Sequence, residues 1–147
     1  MQDINFMIRE ADKNDTEPLA KMITELGYPT TAEEMSERMA GILPSRNYKT
    51  LLAETPEGII GMAGAMVSFF YERNGQYVRL LALVTKKEYR ARGVGKALTK
   101  AIENWALNQG AVAVILNCGN RKEREAAHSF YSKLGYIAKS TGYSKEL

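Results

Sequence analysis

The chain has 147 residues, of which 45% are hydrophobic and 25% are charged, and its formal net charge is +3. The high apolar content and the low net charge exclude a mainly disordered chain. The longest apolar run, residues 59–70, contains two glycines and a serine and falls short of the ~20 residues that a membrane-spanning helix requires.

The N-terminal part is predicted to form one strand and two helices. Residues 6–11 favour a strand, and Asp15 is placed to cap a first helix that Gly27 ends. Thr31 and the acidic residues that follow it indicate the start of a second helix, which Pro44 ends. The methionines of these helices are expected to pack in the core.

Three antiparallel strands are expected next, because turn sequences separate three apolar segments. The Thr-Pro-Glu-Gly turn at residues 55–58 and the Asn74-Gly75 pair mark the two connections. The predicted strands are residues 49–54, 59–70 and 77–85.

The C-terminal part alternates helices and strands. Residues 93–109 form the clearest helical pattern, and the apolar run 111–116 predicts a strand buried on both faces and parallel to a neighbour. A helix over residues 123–134 and a strand over residues 136–145 follow. We therefore predict one α/β domain covering residues 1–147, with a mixed, mostly antiparallel sheet flanked by helices in the order β-αα-βββ-α-β-α-β.

Charge is divided unevenly along the chain. Residues 1–60 contain 6 basic and 11 acidic residues, whereas residues 61–147 contain 14 basic and 6 acidic ones. Five basic residues and one acid lie within residues 86–96 alone. This asymmetry predicts an anionic partner for the C-terminal part.

The segment Arg-Ala-Arg-Gly-Val-Gly-Lys at residues 90–96, here called the glycine loop, follows a strand and opens a helix. Its glycines allow a tight turn, and the helix start supplies unpaired N–H donors that suit a phosphate. Ala97 after the lysine excludes a P-loop, and Leu98 replaces the third glycine of a dinucleotide-binding fingerprint.

Two motifs together resemble the GNAT N-acetyltransferase superfamily. Arg90-x-x-Gly93-x-Gly95 resembles its acyl-CoA-binding signature, and residues 126–136, with Phe-Tyr followed by Leu-Gly-Tyr, resemble its second signature. The resemblance implies the GNAT fold over the whole chain. It also implies an acetyl-CoA-dependent N-acetyltransferase in which an amine attacks the thioester directly.

By this resemblance, main-chain groups of the strand end bind the pantetheine arm, and an N–H at Val84 or Thr85 stabilises the oxyanion. The N–H groups of the glycine loop bind the pyrophosphate, and its basic side chains add charge. The residues so assigned to acetyl-CoA are Leu83, Val84, Thr85, Arg90, Ala91, Arg92, Gly93, Val94, Gly95, Lys96, and either Asn120 or Arg124.

Tyr131 is the expected general acid, because a phenol can protonate the departing thiolate. A general base is not evident. Residues 79–82, where some relatives carry a glutamate, contain no carboxylate. A water chain or an N-terminal glutamate (Glu33, Glu34 or Glu37) would then accept the proton. The missing carboxylate keeps a non-catalytic acyl-CoA-binding or regulatory module as the alternative.

The expected acceptor is the primary amine of a small molecule. The acidic N-terminal helices indicate a cationic amine. Residues 124–131 resemble aminoalkylphosphonate and some aminoglycoside acetyltransferases, and the likeness to the aminoalkylphosphonate enzymes indicates an anionic acceptor instead. No metal site is expected, because His128 is the only histidine. We expect no nucleic-acid or membrane partner. Homodimers are common in the family. The single cysteine, and Asp3, Arg9 and Glu10 where a signal peptide would need an apolar region, favour a cytoplasmic location.

Overall fold

The structure, a computed structural model, describes residues 4–119 and 124–147 and divides into two compact units, Met1–Ile115 and Leu116–Leu147. The strands of the first unit are β1 (Met7–Glu10), β2 (Tyr48–Thr55), β3 (Gly58–Phe69), β4 (Gln76–Thr85) and β5 (Ala111–Ile115). Its helices are α1 (Thr16–Leu26), α2 (Ala32–Ile42) and α3 (Val94–Asn108). The second unit contains α4 (Glu125–Lys133).

The five strands form one sheet in the order β1-β2-β3-β4-β5. Neighbouring strands are antiparallel except β4 and β5, which are parallel. The mixed, mostly antiparallel α/β fold predicted from the sequence is confirmed, and so is the parallel pairing of the apolar run after α3.

Helices cover both faces of this sheet. On one face, Met22 of α1 and Met39 of α2 join a buried cluster that includes Met62 of β3. On the other face, Gly61, the neighbour of Met62 in the strand, meets Leu98 of α3. The methionines therefore pack in the core, as their spacing predicts.

The helix ends follow the local signals in the sequence. Gly27 ends α1 with a left-handed φ of 116°, which glycine adopts without steric cost. Thr31 and Glu34 form a capping box at the start of α2, each side chain accepting from the other residue's N–H. Accepting the Thr31 N–H lowers the pKa of Glu34.

The predicted last strand, residues 136–145, is wrong, because the structure has no strand over those residues. Tyr136 is half-buried against Tyr131, but Ile137 is 76% exposed and Tyr143 is 95% exposed, so the segment has no continuous buried face. Without such a face, a mostly polar segment containing Gly142 gains little from extended pairing.

The prediction that β5 is buried on both faces is also wrong, since Val112 is 60% exposed. The buried cluster under α1 and α2 includes residues of β2, β3 and β4, but none of the described residues of β5. The strand is therefore apolar in sequence without being covered on both sides.

A cluster of ion pairs connects β1 to the residue that precedes α1. Asp15 precedes α1, yet its side chain makes no cap hydrogen bond to that helix. It instead accepts two hydrogen bonds from Arg9, both 2.9 Å, and one from the Asp12 N–H at 2.8 Å. Arg9 also donates to Glu54 of β2 at 3.0 Å. The hydrogen bonds from Arg9 lower the pKa of Asp15.

Replacing Asp15 with asparagine is expected to reduce the free energy of unfolding at pH 7 by about 1–2 kcal/mol, because Arg9 is left without its buried partner but stays partly in water. The lowered pKa of Asp15 stabilises the fold above its ordinary pKa of 3.8. That contribution disappears as the pH falls through the lower folded value. Urea unfolding at several pH values should therefore show the difference between wild type and variant shrinking below about pH 4. A difference that is constant with pH would contradict this account.

Candidate functional site

The sheet opens at the end of β4. Pairing between β4 and β5 ends at Arg79 and Ile115, although β4 continues to Thr85. Close to the same point the register with β3 shifts, because Gly64 pairs with Ala82 while the next residue of β3 pairs with Leu80. Leu81 is therefore the extra residue of a β-bulge. Beyond it, β4 keeps its ladder with β3 and has no pairing to β5.

The ladder with β3 fixes which main-chain groups of β4 face the opening. The Lys86 N–H donates to the Ile60 carbonyl at 2.8 Å, so Lys86 and Val84 direct their main-chain groups towards β3. Alternate residues point the other way. Leu83 and Thr85 consequently direct their N–H and C=O groups towards the side where β5 has separated.

The glycine loop turns sharply into α3. Ala91 has a φ of 60°, and Gly93, which precedes the first residue of the helix, has a φ of 88°. The left-handed conformation costs a non-glycine residue about 1 kcal/mol, so Ala91 is held there by its surroundings. No side chain caps α3, and its first turn contains no acidic residue. The first N–H groups of this helix thus form a site suited to an anion.

Gly61 of β3 sets the position of that helix start. A Cβ at this position would lie 3.1 Å from the Val94 side chain, 3.1 Å from Leu98 and 3.1 Å from the Val84 carbonyl. Only a residue without a side chain lets the first turn of α3 approach the sheet so closely. The position of the glycine loop therefore depends on the close packing of α3 against Gly61 as well as on the glycines of the loop.

The basic side chains of the loop take different directions. Arg90 donates from Nε to the Thr85 carbonyl at 3.1 Å, and its Nη2 lies 3.8 Å from Glu25 Oε1. Arg92 lies over the Tyr89 ring, with 5.9 Å between guanidinium carbon and ring centroid. Lys96 is exposed at the first turn of α3. The side chain of Arg90 thus links the glycine loop to the end of β4 by a hydrogen bond.

Glu25 is a residue of this site that the sequence did not reveal. Its Oε1 accepts the Lys87 N–H at 2.8 Å, across 62 positions of sequence. No local pattern in α1 distinguishes Glu25 from the other glutamates of the N-terminal helices. The contact becomes visible only when α1 lies beside the end of β4.

The second unit holds the predicted general acid, Tyr131, on α4. Tyr131 is half-buried, and it contacts Phe130 and Tyr136 with ring centroids 5.2 and 5.8 Å apart. Burial raises the pKa of Tyr131, the nearby Cys118 adds to the increase, and Arg124 opposes it. The phenol is therefore protonated at neutral pH, as a proton donor must be.

Of the remaining predicted residues, Arg124 lies directly before α4, with Nη2 4.0 Å from Cys118 Sγ. Asn120 lies outside the described residues. His128 Nε2 is 2.7 Å from the Gly119 carbonyl, which gives the histidine a local hydrogen bond. The structure brings residues 83–96 together in the first unit, and it places Arg124 and Tyr131 in the second.

The candidate general bases of α2 differ in their surroundings. Glu34 accepts hydrogen bonds within the helix cap, and its pKa is lowered, so it is a poor proton acceptor. Glu33 and Glu37 are both exposed on the same helix. Within residues 4–119 and 124–147, no three His, Cys, Asp or Glu side chains are grouped to hold a metal ion. The helices in these ranges are also too short or too polar to cross a bilayer.

Comparison with known proteins gives matches over most of the chain. Residues 16–136 match the acetyltransferase (GNAT) family. Human N-acetyltransferase 8 is 30% identical over 121 residues, which are 82% of this chain and 52% of that protein. The chain thus spans about half the length of this curated relative.

Solved structures are similar along nearly the whole chain. A GNAT family acetyltransferase from Staphylococcus aureus is 31% identical, with a TM-score of 0.82 over 98% of this chain and 100% of that one. Glucosamine-6-phosphate N-acetyltransferase from Arabidopsis thaliana, 23% identical, has a TM-score of 0.82 over 97% of this chain and 98% of its own. The second likeness concerns the fold alone.

Proposed function

The chain belongs to the GNAT acetyltransferase family, as its two motifs predict, and we propose that it transfers the acetyl group of acetyl-CoA to the primary amine of a small molecule. In this proposal residues 1–147 act as one catalytic domain, because the family match spans residues 16–136. The single cysteine favours a cytoplasmic location.

The observation that carries the proposal is the open end of β4 leading into the uncapped start of α3. An extended pantetheine arm can bind beside β4 as an added strand would, using the main-chain groups of Leu83 and Thr85. The pyrophosphate would then lie at the N–H groups that begin α3, near Arg92 and Lys96. In this proposal the pantetheine arm has hydrogen-bonding partners in β4, and the pyrophosphate has N–H donors and positive charge at the start of α3.

The direction of the main-chain groups favours Thr85 over Val84 as the oxyanion donor. The Val84 N–H is directed towards β3, whereas the Thr85 N–H is directed towards the opening. A donor that is already fixed in the sheet can stabilise the oxyanion without reorganising. Arg90 donates to the Thr85 carbonyl, which fixes the next peptide, between Thr85 and Lys86.

The reaction is a direct acyl transfer. The neutral amine attacks the thioester carbonyl carbon, and a tetrahedral intermediate forms with its negative charge on oxygen. Collapse of the intermediate forms the amide and breaks the carbon–sulfur bond. Tyr131 donates its proton to the departing CoA thiolate, and the proton lost from the amine passes to water. The Tyr131 phenolate then takes a proton from water, which restores the acid. The products are the N-acetylated amine and CoA.

A second candidate is a non-catalytic acyl-CoA-binding module. It is favoured by the absence of a carboxylate at Arg79, Leu80, Leu81 and Ala82, and by the use of Glu34 in a helix cap. Such a module would keep the cofactor-binding geometry while having no group to accept the amine proton. Binding and turnover therefore have to be measured separately.

The deciding experiment is the release of free thiol from acetyl-CoA in the presence of a panel of primary amines, both cationic and phosphonate-bearing, with calorimetric titration of acetyl-CoA in parallel. We expect micromolar binding and turnover with at least one amine. Tight binding without turnover for any amine would favour the module. Negligible acetyl-CoA binding, together with steeply salt-dependent binding of DNA or RNA, would overturn both.

A further inference from the structure

The carboxylate of Glu25 connects α1 to the segment that enters the glycine loop. Its Oε1 accepts the Lys87 N–H at 2.8 Å and lies 3.8 Å from Arg90 Nη2. Lys87 begins a short 3₁₀ turn, Lys87–Tyr89, and Arg90 directly follows it. One oxygen atom therefore contacts both ends of the turn.

This turn is otherwise held by few hydrogen bonds. The Lys86 N–H makes the last contact with β3, through the Ile60 carbonyl. The Tyr89 and Arg90 N–H groups donate within the turn, to the Lys86 and Lys87 carbonyls. The Lys87 N–H is the first donor beyond the sheet, and its partner comes from a different element, α1. The Arg90 side chain also donates to the Thr85 carbonyl at 3.1 Å, so Glu25 and Arg90 together hold the path of the chain after β4.

The two contacts differ in strength. The side chains of Glu25 and Arg90 are 34% and 55% exposed, so water and salt weaken their attraction at 3.8 Å. The Lys87 hydrogen bond is short and has an ionised acceptor, which makes it the stronger of the two. The hydrogen bond, more than the ion pair, should therefore set the position of the turn.

We propose that Glu25 is a positioning residue for the glycine loop, holding the Lys87–Tyr89 turn so that the start of α3 is presented to the pyrophosphate of acetyl-CoA. The inference rests on the proposed function, because it assigns Glu25 a share of the cofactor affinity. Glu25 touches neither the cofactor nor the reacting atoms in this role. Its removal should weaken acetyl-CoA binding and leave the chemical step at saturation unchanged.

The test compares Glu25→Ala and Glu25→Gln with wild type by calorimetric titration of acetyl-CoA and by steady-state kinetics. Glu25→Ala removes the acceptor for the Lys87 N–H, and we expect the Kd and the KM for acetyl-CoA to rise about tenfold with kcat nearly unchanged. Glu25→Gln keeps an amide oxygen that can accept the same N–H, so its Kd should rise less than about threefold. This partial rescue separates positioning by the hydrogen bond from attraction by charge.

Glu17→Gln is the matched control, because Glu17 lies on the same helix and its ion pair, with Lys21 at 3.7 Å, is exposed. Its Kd should equal that of wild type. If wild type binds acetyl-CoA and acetylates an amine while Glu25→Ala binds acetyl-CoA equally well, the positioning role is wrong and the proposed function stands. If Glu25→Gln loses as much affinity as Glu25→Ala, the hydrogen-bond account is overturned. If wild type itself binds no acetyl-CoA, the proposed function fails, and this inference fails with it.

Discussion

Replacing Tyr131 with phenylalanine is expected to lower kcat by about 10²-fold or more, with the Kd for acetyl-CoA unchanged. The variant keeps the ring that packs against Phe130 and Tyr136 and loses only the hydroxyl proton. A CoA thiolate that leaves without a proton donor is a poorer leaving group. Steady-state thiol release at saturating acetyl-CoA, with calorimetric titration of the cofactor, measures the two quantities.

The pH dependence gives a second readout of Tyr131. Burial raises the pKa of this phenol above its ordinary value of 10.0, so the group stays protonated below that pH and causes no alkaline loss of rate there. Tyr143→Phe is the control in the same unit, since its side chain is 95% exposed. An unchanged kcat in Tyr131→Phe would remove this tyrosine from the mechanism.

Gly61→Ala is expected to have the largest effect on stability, a loss of about 2–3 kcal/mol in the free energy of unfolding. The added methyl group would lie 3.1 Å from Val94, from Leu98 and from the Val84 carbonyl, and the carbonyl belongs to rigid backbone. The first turn of α3 would have to move away from the sheet. We therefore also expect a weaker affinity for acetyl-CoA, because the glycine loop moves with that turn.

Gly64→Ala, three positions further along β3, is the matched control for Gly61→Ala. Its added methyl group would lie 3.9 Å from Met62 Cε and 4.0 Å from Ala82 Cβ, which are ordinary contacts. Urea unfolding should show this variant within about 0.5 kcal/mol of wild type. Equal destabilisation by the two substitutions would mean that loss of glycine in the strand, rather than crowding against α3, is the cause.

Local signals in the sequence account for most of the fold. Gly27 ends α1, and Thr31 with Glu34 starts α2, because each of these residues acts on its own few neighbours. Strand ends lie within a residue or two of those predicted, since turn residues bound them. Residues 136–145 resemble a strand in sequence, but pairing depends on a partner and a buried face that no local pattern contains.

The candidate site was predictable to a similar extent. A glycine before a helix predicts a tight turn at Gly93 and free N–H groups at the start of α3, and the structure has that geometry. Phosphate binding there stays a prediction. The direction of the Arg90 side chain and the contact of Glu25 with Lys87 were not predictable. Both depend on α1 lying beside the end of β4, a relation between elements distant in the chain.

Beyond the bulge at Leu81, the number of residues in β4 decides which main-chain groups face the opening. Between Leu81 and Thr85 the strand alternates between a residue tied to β3 and a residue directed to the opening. Inserting or deleting one residue there would exchange the two sets, turning the main chain of Thr85 inwards and carrying the Val84 side chain out of the core. A conservative substitution in this stretch changes one side chain. A one-residue change of length reverses the direction of the main-chain groups and of the side chains at every later position of the strand.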